Sequence, residues 1–138
     1  MSPLVRFGVS LEKGLLDRFD TLVSERGYAS RSEAFRSLIQ SLLIEKEWKA
    51  GEEVAGAVTL VFNHHRKDLM GRITDIQHDH HHLIISTQHI HLDRDHCLEI
   101  IAVRGRAEQV GRLTDALRSV KGVKHGTLSI SSAGKDLE

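Results

Sequence analysis

A single cysteine, Cys97, stands in the whole chain, so there can be no internal disulfide, and a reducing compartment would leave that thiol free for a metal or for redox chemistry. No apolar run approaches the roughly 18 residues of a membrane-spanning helix. The opening stretch "MSPLVRFGVSLEKG" has no positive region followed by a long apolar one, so neither membrane insertion nor a secretory signal is expected, and the chain reads as cytoplasmic. Net charge is missing too: 19 Lys and Arg balance 19 Asp and Glu, which argues against nucleic-acid binding by bulk electrostatics and leaves it to local placement of cations. HExxH, GxSxG and a phosphate-cradling glycine loop are all absent. The 138 residues suit one ordinary domain or two very small ones, too little for a large catalytic core. An enzyme is therefore not expected. The enzymatic alternatives are zinc-type hydrolysis with Glu99 or Asp95 as base, and thiol catalysis by a Cys and His pair.

What is present falls into two parts. "VRFGVSL" alternates Val5, Phe7 and Val9 against Arg6, Gly8 and Ser10, the period of a half-buried strand. From Glu12 the period becomes helical through Leu15, Leu16, Phe19, Leu22 and Val23, with Gly27 as the stop. In "SRSE", Ser30 is an N-cap and Glu33 completes a capping box, opening a second helix through Phe35, Leu38, Ile39, Leu42 and Leu43 to about Trp48. One short strand and two helices bury too little to stand as a monomer, so this part is expected to form an intertwined dimer through paired strands. After the linker "AGEE" come strand "VAGAVTLVFN", helix "RKDLMGRITDIQH", strands "HLIISTQHIHL" and "CLEIIAVRG", helix "AEQVGRLTDALRSV" and strand "GVKHGTLSI". That order is the split βαβ pattern of an antiparallel sheet with helices on one face, the other face awaiting a second copy.

Histidine is the outlier of the composition: nine of the ten lie between residues 64 and 96. In "QHIHLDRDHC", His89 and His91 share one face of a strand, and a turn through "DRDH" can return Cys97 beside them. Two imidazoles and a thiolate suit zinc, nickel or copper rather than magnesium or calcium. The fourth ligand must come from elsewhere. A polar sheet face for the histidines and a buried apolar role for the thiol are the structural alternatives. Some of "HDHHH" fits a solvated helix end, where imidazolium is favoured by the carbonyl dipoles.

"RFGVSLEKGLLDRFDTLVSERGYASRSEAFRSLI", with its "GYxxRSEA" motif, resembles a ribbon-helix-helix DNA-binding domain. Together with "QHIHLDRDHCLEI" and "GVKHG", it resembles the nickel-responsive transcriptional regulators of the NikR family, over nearly the whole chain. The resemblance implies an α+β chain: residues 1–50 a ribbon-helix-helix DNA-binding and dimerisation domain, residues 53–138 a ferredoxin-like βαββαβ (ACT-type) metal-binding and tetramerisation domain. It implies square-planar Ni(2+) held by His89, His91 and Cys97 of one protomer and His78 of a neighbour in a homotetramer, with Glu99 behind the ligands. It further implies a regulator, a repressor of nickel uptake genes, acting on double-stranded operator DNA. Arg6, Gly8 and Ser10 occupy the base-reading positions, Ser30, Arg31 and Arg36 the phosphate anchors, and Arg66 and Lys67 the contacts from the regulatory half. Gly8 departs from the family's usual hydroxyl residue, and Ser37 stands where some members carry an acid that helps Glu33 hold a second cation. The alternative function is metal storage or chaperoning without a DNA role.

Overall fold

The computed structural model describes residues 2–135 and 137. Helices α1 (Lys13–Glu25) and α2 (Arg31–Lys49) lie where the three-to-four-residue apolar period runs. Both stop at a glycine in the left-handed region, Gly27 at φ 73° and Gly51 at φ 71°. At each, the next amide reaches back to a last-turn carbonyl, Tyr28 N to Val23 O (3.0 Å) and Glu52 N to Glu47 O (3.1 Å), so orphan carbonyls are satisfied as the helix ends. Ser30 caps α2 as expected, its Oγ accepting the Glu33 amide at 3.2 Å. The capping box is only half formed, because the Glu33 carboxylate takes Arg36 instead.

The strand expected over Val5 to Leu11 is not formed. Residues 2–12 carry no regular structure, and Val5 and Phe7 are 82% and 72% exposed. A strand exists through ladder hydrogen bonds, and a single chain offers this segment no partner.

Two compact units result: the described residues up to 43 with those at the carboxyl end, and residues 44–134. The division falls inside α2, earlier than the "AGEE" linker. In the second unit, β1 (Glu53–Asn63), α3 (Lys67–Asp79), a short 3₁₀ turn (His81–Leu83), β2 (Ile84–His91), β3 (His96–Arg106), α4 (Ala107–Arg118) and β4 (Val123–Ser132) follow in order. The sheet order is β2-β3-β1-β4, with every pairing antiparallel. This is the ferredoxin-like arrangement that the split βαβ order predicts. Val54, Val58, Leu60 and Phe62 of β1 and Cys97, Ile101 and Val103 of β3 alternate onto the face covered by Leu69 and Ile73 of α3 and Val110, Leu113 and Leu117 of α4. Each fully buried Leu, Ile or Phe there contributes about 1.5–3 kcal/mol of transfer free energy. The histidines enter at one end of this face.

Candidate metal centre

The strand period sets the first ligands. His89 and His91 lie two apart on β2, and the β2–β3 register puts Cys97 opposite His91 and Glu99 opposite His89. The turn that makes this possible is organised by Asp93, whose Oδ1 accepts the amides of Asp95 (2.9 Å) and His96 (2.8 Å). Those backbone donors, followed by the His96 ring, hold the Asp93 carboxyl below the usual range. Cys97 Sγ and His91 Nδ1 are 3.5 Å apart. Burial pushes the Cys97 thiol up, and the negative charges of Glu99 and Asp93 push it further, so the thiol holds its proton more firmly than a free cysteine. A metal must displace that proton to gain the thiolate.

The third donor lies just past the end of β1. Phe62 pairs with Cys97, and His64 lies two residues beyond it, its amide fixed to Asp95 O at 3.1 Å. Donor atoms of His64, His91 and Cys97 all lie within 4.8 Å of one another. The rings of His64 and His91 stand edge to face with centroids 5.4 Å apart. His64 Nδ1 is buried with no hydrogen-bond partner among the described residues, an orphaned nitrogen of the kind a metal satisfies. Beside it, His65 packs its ring at 4.0 Å and pairs with Asp95.

Of the four ligands inferred from the sequence, His91 and Cys97 are brought together. His89 lies one step away, its ring 5.3 Å from His91, outside the three-donor group. His78 is exposed in the last turn of α3, its ring 6.2 Å from His81, also outside the group. His64 was missed because "FNHHRK" has no strand-period pair. The signal that could have found it is its place at the end of the strand pairing with the cysteine's strand.

Glu99 sits behind these residues, 5% exposed on the helix-covered face. Its Oε1 accepts Gln77 Nε2 at 3.1 Å, and Gln77 Oε1 accepts Thr87 Oγ1 at 3.0 Å, so one carboxylate ties α3 to β2 and β3. Glu99 Oε2 is buried with no partner among the described residues. Two imidazoles, a thiolate and these unspent buried acceptors fit a borderline-to-soft divalent ion, and nickel is such an ion.

In the first unit, Arg6, Gly8 and Ser10 lie in the exposed segment before α1. Arg31 is engaged with Asp20, Nε to Oδ1 and Nη2 to Oδ2 both at 2.8 Å, and Arg36 with Glu33. Ser37 Oγ lies 3.1 Å from the Tyr28 hydroxyl. Arg66 and Lys67 open α3, both exposed.

Residues 55–131 match the family described as the NikR C terminal nickel binding domain, and residues 5–46 match the ribbon-helix-helix proteins of the copG family. Among relatives named as nickel-responsive regulators, that of Syntrophus aciditrophicus is 54% identical over 135 residues, covering 98% of each chain. That of Solibacter usitatus is 52% identical over 139 residues and covers both chains fully. That of Chlorobium limicola is 55% identical over 134 residues, covering 97% of this chain and all of the relative. An uncharacterized protein from Thermotoga maritima shares the fold of 57% of this chain, with a TM-score of 0.53 at 14% identity.

Proposed function

The chain belongs to the family of nickel-responsive regulators, which are not enzymes, and from that premise we propose that it is a nickel-dependent, sequence-specific DNA-binding regulator that represses nickel uptake genes. The observation that carries this is the pairing of Cys97 with His91 at 3.5 Å on a chain whose other half matches a ribbon-helix-helix domain. Residues 1–50 bind operator DNA and dimerise, and residues 53–138 sense metal and tetramerise. The nickel ligands are His89, His91 and Cys97 of one protomer and His78 of a neighbour. His78 suits a ligand given in trans, because it is exposed on α3 and outside its own chain's donor group. Held by those residues, the ion would join two chains, and mass action would convert its affinity into stability of the assembly.

The chain's own residues do the rest. Glu99 and Gln77 hold the strands and α3 in the geometry in which the ligands meet. The segment around Arg6, Gly8 and Ser10 pairs with its copy as a two-stranded ribbon in the major groove, Arg6 on a guanine edge and Ser10 on either kind of pair. Gly8 brings backbone close to the bases without a side chain to read them. Ser30 and the α2 amides hold a phosphate, with Arg31 and Arg36 exchanging their carboxylate partners for it. Arg66 and Lys67 add contacts from the sensing half.

Footprinting across a library of genomic promoters, with and without nickel, tests the reading. Nickel should raise affinity for one promoter class by about 5–150-fold, the usual range of allosteric coupling. Cys97→Ser should abolish the sulfur-to-nickel charge-transfer absorption and the response to nickel while keeping weak nonspecific binding. A nickel-independent footprint, or a normal response in Cys97→Ser, would overturn it.

A further inference from the structure

Trp48, the single tryptophan of the chain, is the next-to-last residue of α2 and half-buried. Its indole Nε1 donates to Ser131 O of β4 at 2.7 Å. The ring lies over Gly56 of β1, where a Cβ would come within 3.5 Å of Trp48 Cζ2 and equally close to Leu128 Cδ1. Gly56 shares the helix-covered face of Val54 and Val58, so its missing side chain leaves a seat for the indole on that face.

A second tie follows within a few residues. The carbonyl of Glu52, just past the Gly51 stop, accepts the amide of Ala107 at 3.0 Å, where α4 begins. The last turn of α2 and the residues after it are thereby fastened to β1, β4 and α4, and they belong with residues 44–134 to one compact unit. Yet α2 is unbroken from Arg31 to Lys49, and its opening turns follow the Ser30 cap and carry Arg31 and Arg36. A helix passes a displacement of its last turn on to its first, because every turn is hydrogen-bonded to the next. In the sheet, β1 lies between β4 and β3, so the seat of Trp48 and the strand that carries Cys97 share one sheet.

We propose that Trp48 is the positioning residue that couples nickel to DNA. Bound to Ser131 and seated on Gly56, its indole clamps the last turn of α2 to the sensing sheet, so that a change at the nickel ligands reaches the helix bearing the phosphate contacts. The inference rests on the nickel-dependent DNA-binding reading above and adds to it the residue through which the effect passes. Coupling between two sites needs an element that both of them bias, and chain connection alone does not supply one. With the indole gone, the glycine turn after α2 absorbs the movement, and metal and DNA each bind without feeling the other.

The full chain, Trp48→Phe and Trp48→Ala would be titrated with nickel, read on the sulfur-to-nickel absorption. Each would then be tested against a promoter fragment selected by the footprinting above, with and without nickel. Wild type should gain about 5–150-fold in affinity from nickel. Trp48→Ala should bind nickel within about twofold of wild type and keep its nickel-free affinity for DNA, while the gain from nickel falls to about one. Trp48→Phe, which keeps a ring on Gly56 and loses the N–H, should retain a gain smaller than that of wild type. A full gain in both variants would overturn the proposal. So would parallel losses of nickel binding and nickel-free DNA binding in both, the mark of a residue that only holds the fold. Where Trp48→Ala does not fold, Trp48→Phe decides alone, an undiminished gain counting against the clamp. A wild type with no gain from nickel would sink the regulator reading itself, and the coupling with it.

Discussion

Arg31 shows how firmly one side chain can be committed within its own chain. Its guanidinium grips both oxygens of Asp20 at 2.8 Å, a planar two-bond fit that lysine could not make. The hydrogen bonds from Arg31, and then its charge, lower the Asp20 pKa. A carboxyl whose folded pKa lies below its unfolded one stabilises the fold above the unfolded pKa and loses that effect as pH falls through the folded value. The pair should therefore be intact at neutral pH and fail only on the acid side. NMR titration of the Asp20 carboxyl carbon should give a midpoint below that of an unstructured peptide of the same sequence, and Arg31→Gln should bring it back. Asp20→Asn should free Arg31 and strengthen nonspecific duplex binding, with a salt slope steeper by about one phosphate contact. A midpoint indifferent to Arg31 would show that the pair does not persist in solution.

At the scale of elements, α4 and the strands beneath it hold the sensing half together. Val110, Leu113 and Leu117 recur at helical spacing and are wholly buried, and Thr114, forced inside among them, returns its hydroxyl to Val110 O at 2.9 Å. Truncating Leu113 to Ala should cost about 2–5 kcal/mol, from lost transfer energy and the cavity left behind. Urea unfolding of the metal-free protein measures this. A loss below about 1 kcal/mol would mean that α4 is not packed as described. The strand elements act differently on the site: the antiparallel register, set by the Asp93 turn, places Cys97 against His91 without any covalent link.

At the scale of the whole molecule, one chain leaves much apolar surface uncovered. Neither α1 nor α2 buries more than a single residue, Ala34, while Leu38, Ile39 and Leu42 stay exposed alongside Val5 and Phe7. So much apolar surface on a unit of this size calls for a second copy. We expect a homotetramer built as a dimer of dimers, the first unit pairing through its ribbon and the second through its open sheet face. Sedimentation at micromolar concentration should return a species of four chains, and Phe7→Glu should reduce it toward smaller species by placing a charge in the ribbon pair. A monomer for wild type would rule this out.

Composition, spacing and order were enough to determine the α+β class, the four helices and the four strands of the sheet, the Gly27 stop, the Ser30 cap and the turn that returns Cys97 beside the histidines of β2. All of these depend on residues close in sequence or on a two-residue strand period, so local chemistry decides them. The relation of His64 to Cys97 was not legible, because residues 33 positions apart meet only when β1 and β3 settle into one register. Nor could the sequence show that Glu33 and Asp20 would occupy Arg36 and Arg31, since competing partners are ranked by distance and distance exists only after folding. The ribbon marks the opposite limit: its alternation is plain in the residues, yet the strand stays unformed in one chain because backbone hydrogen bonds between strands need a second strand to receive them.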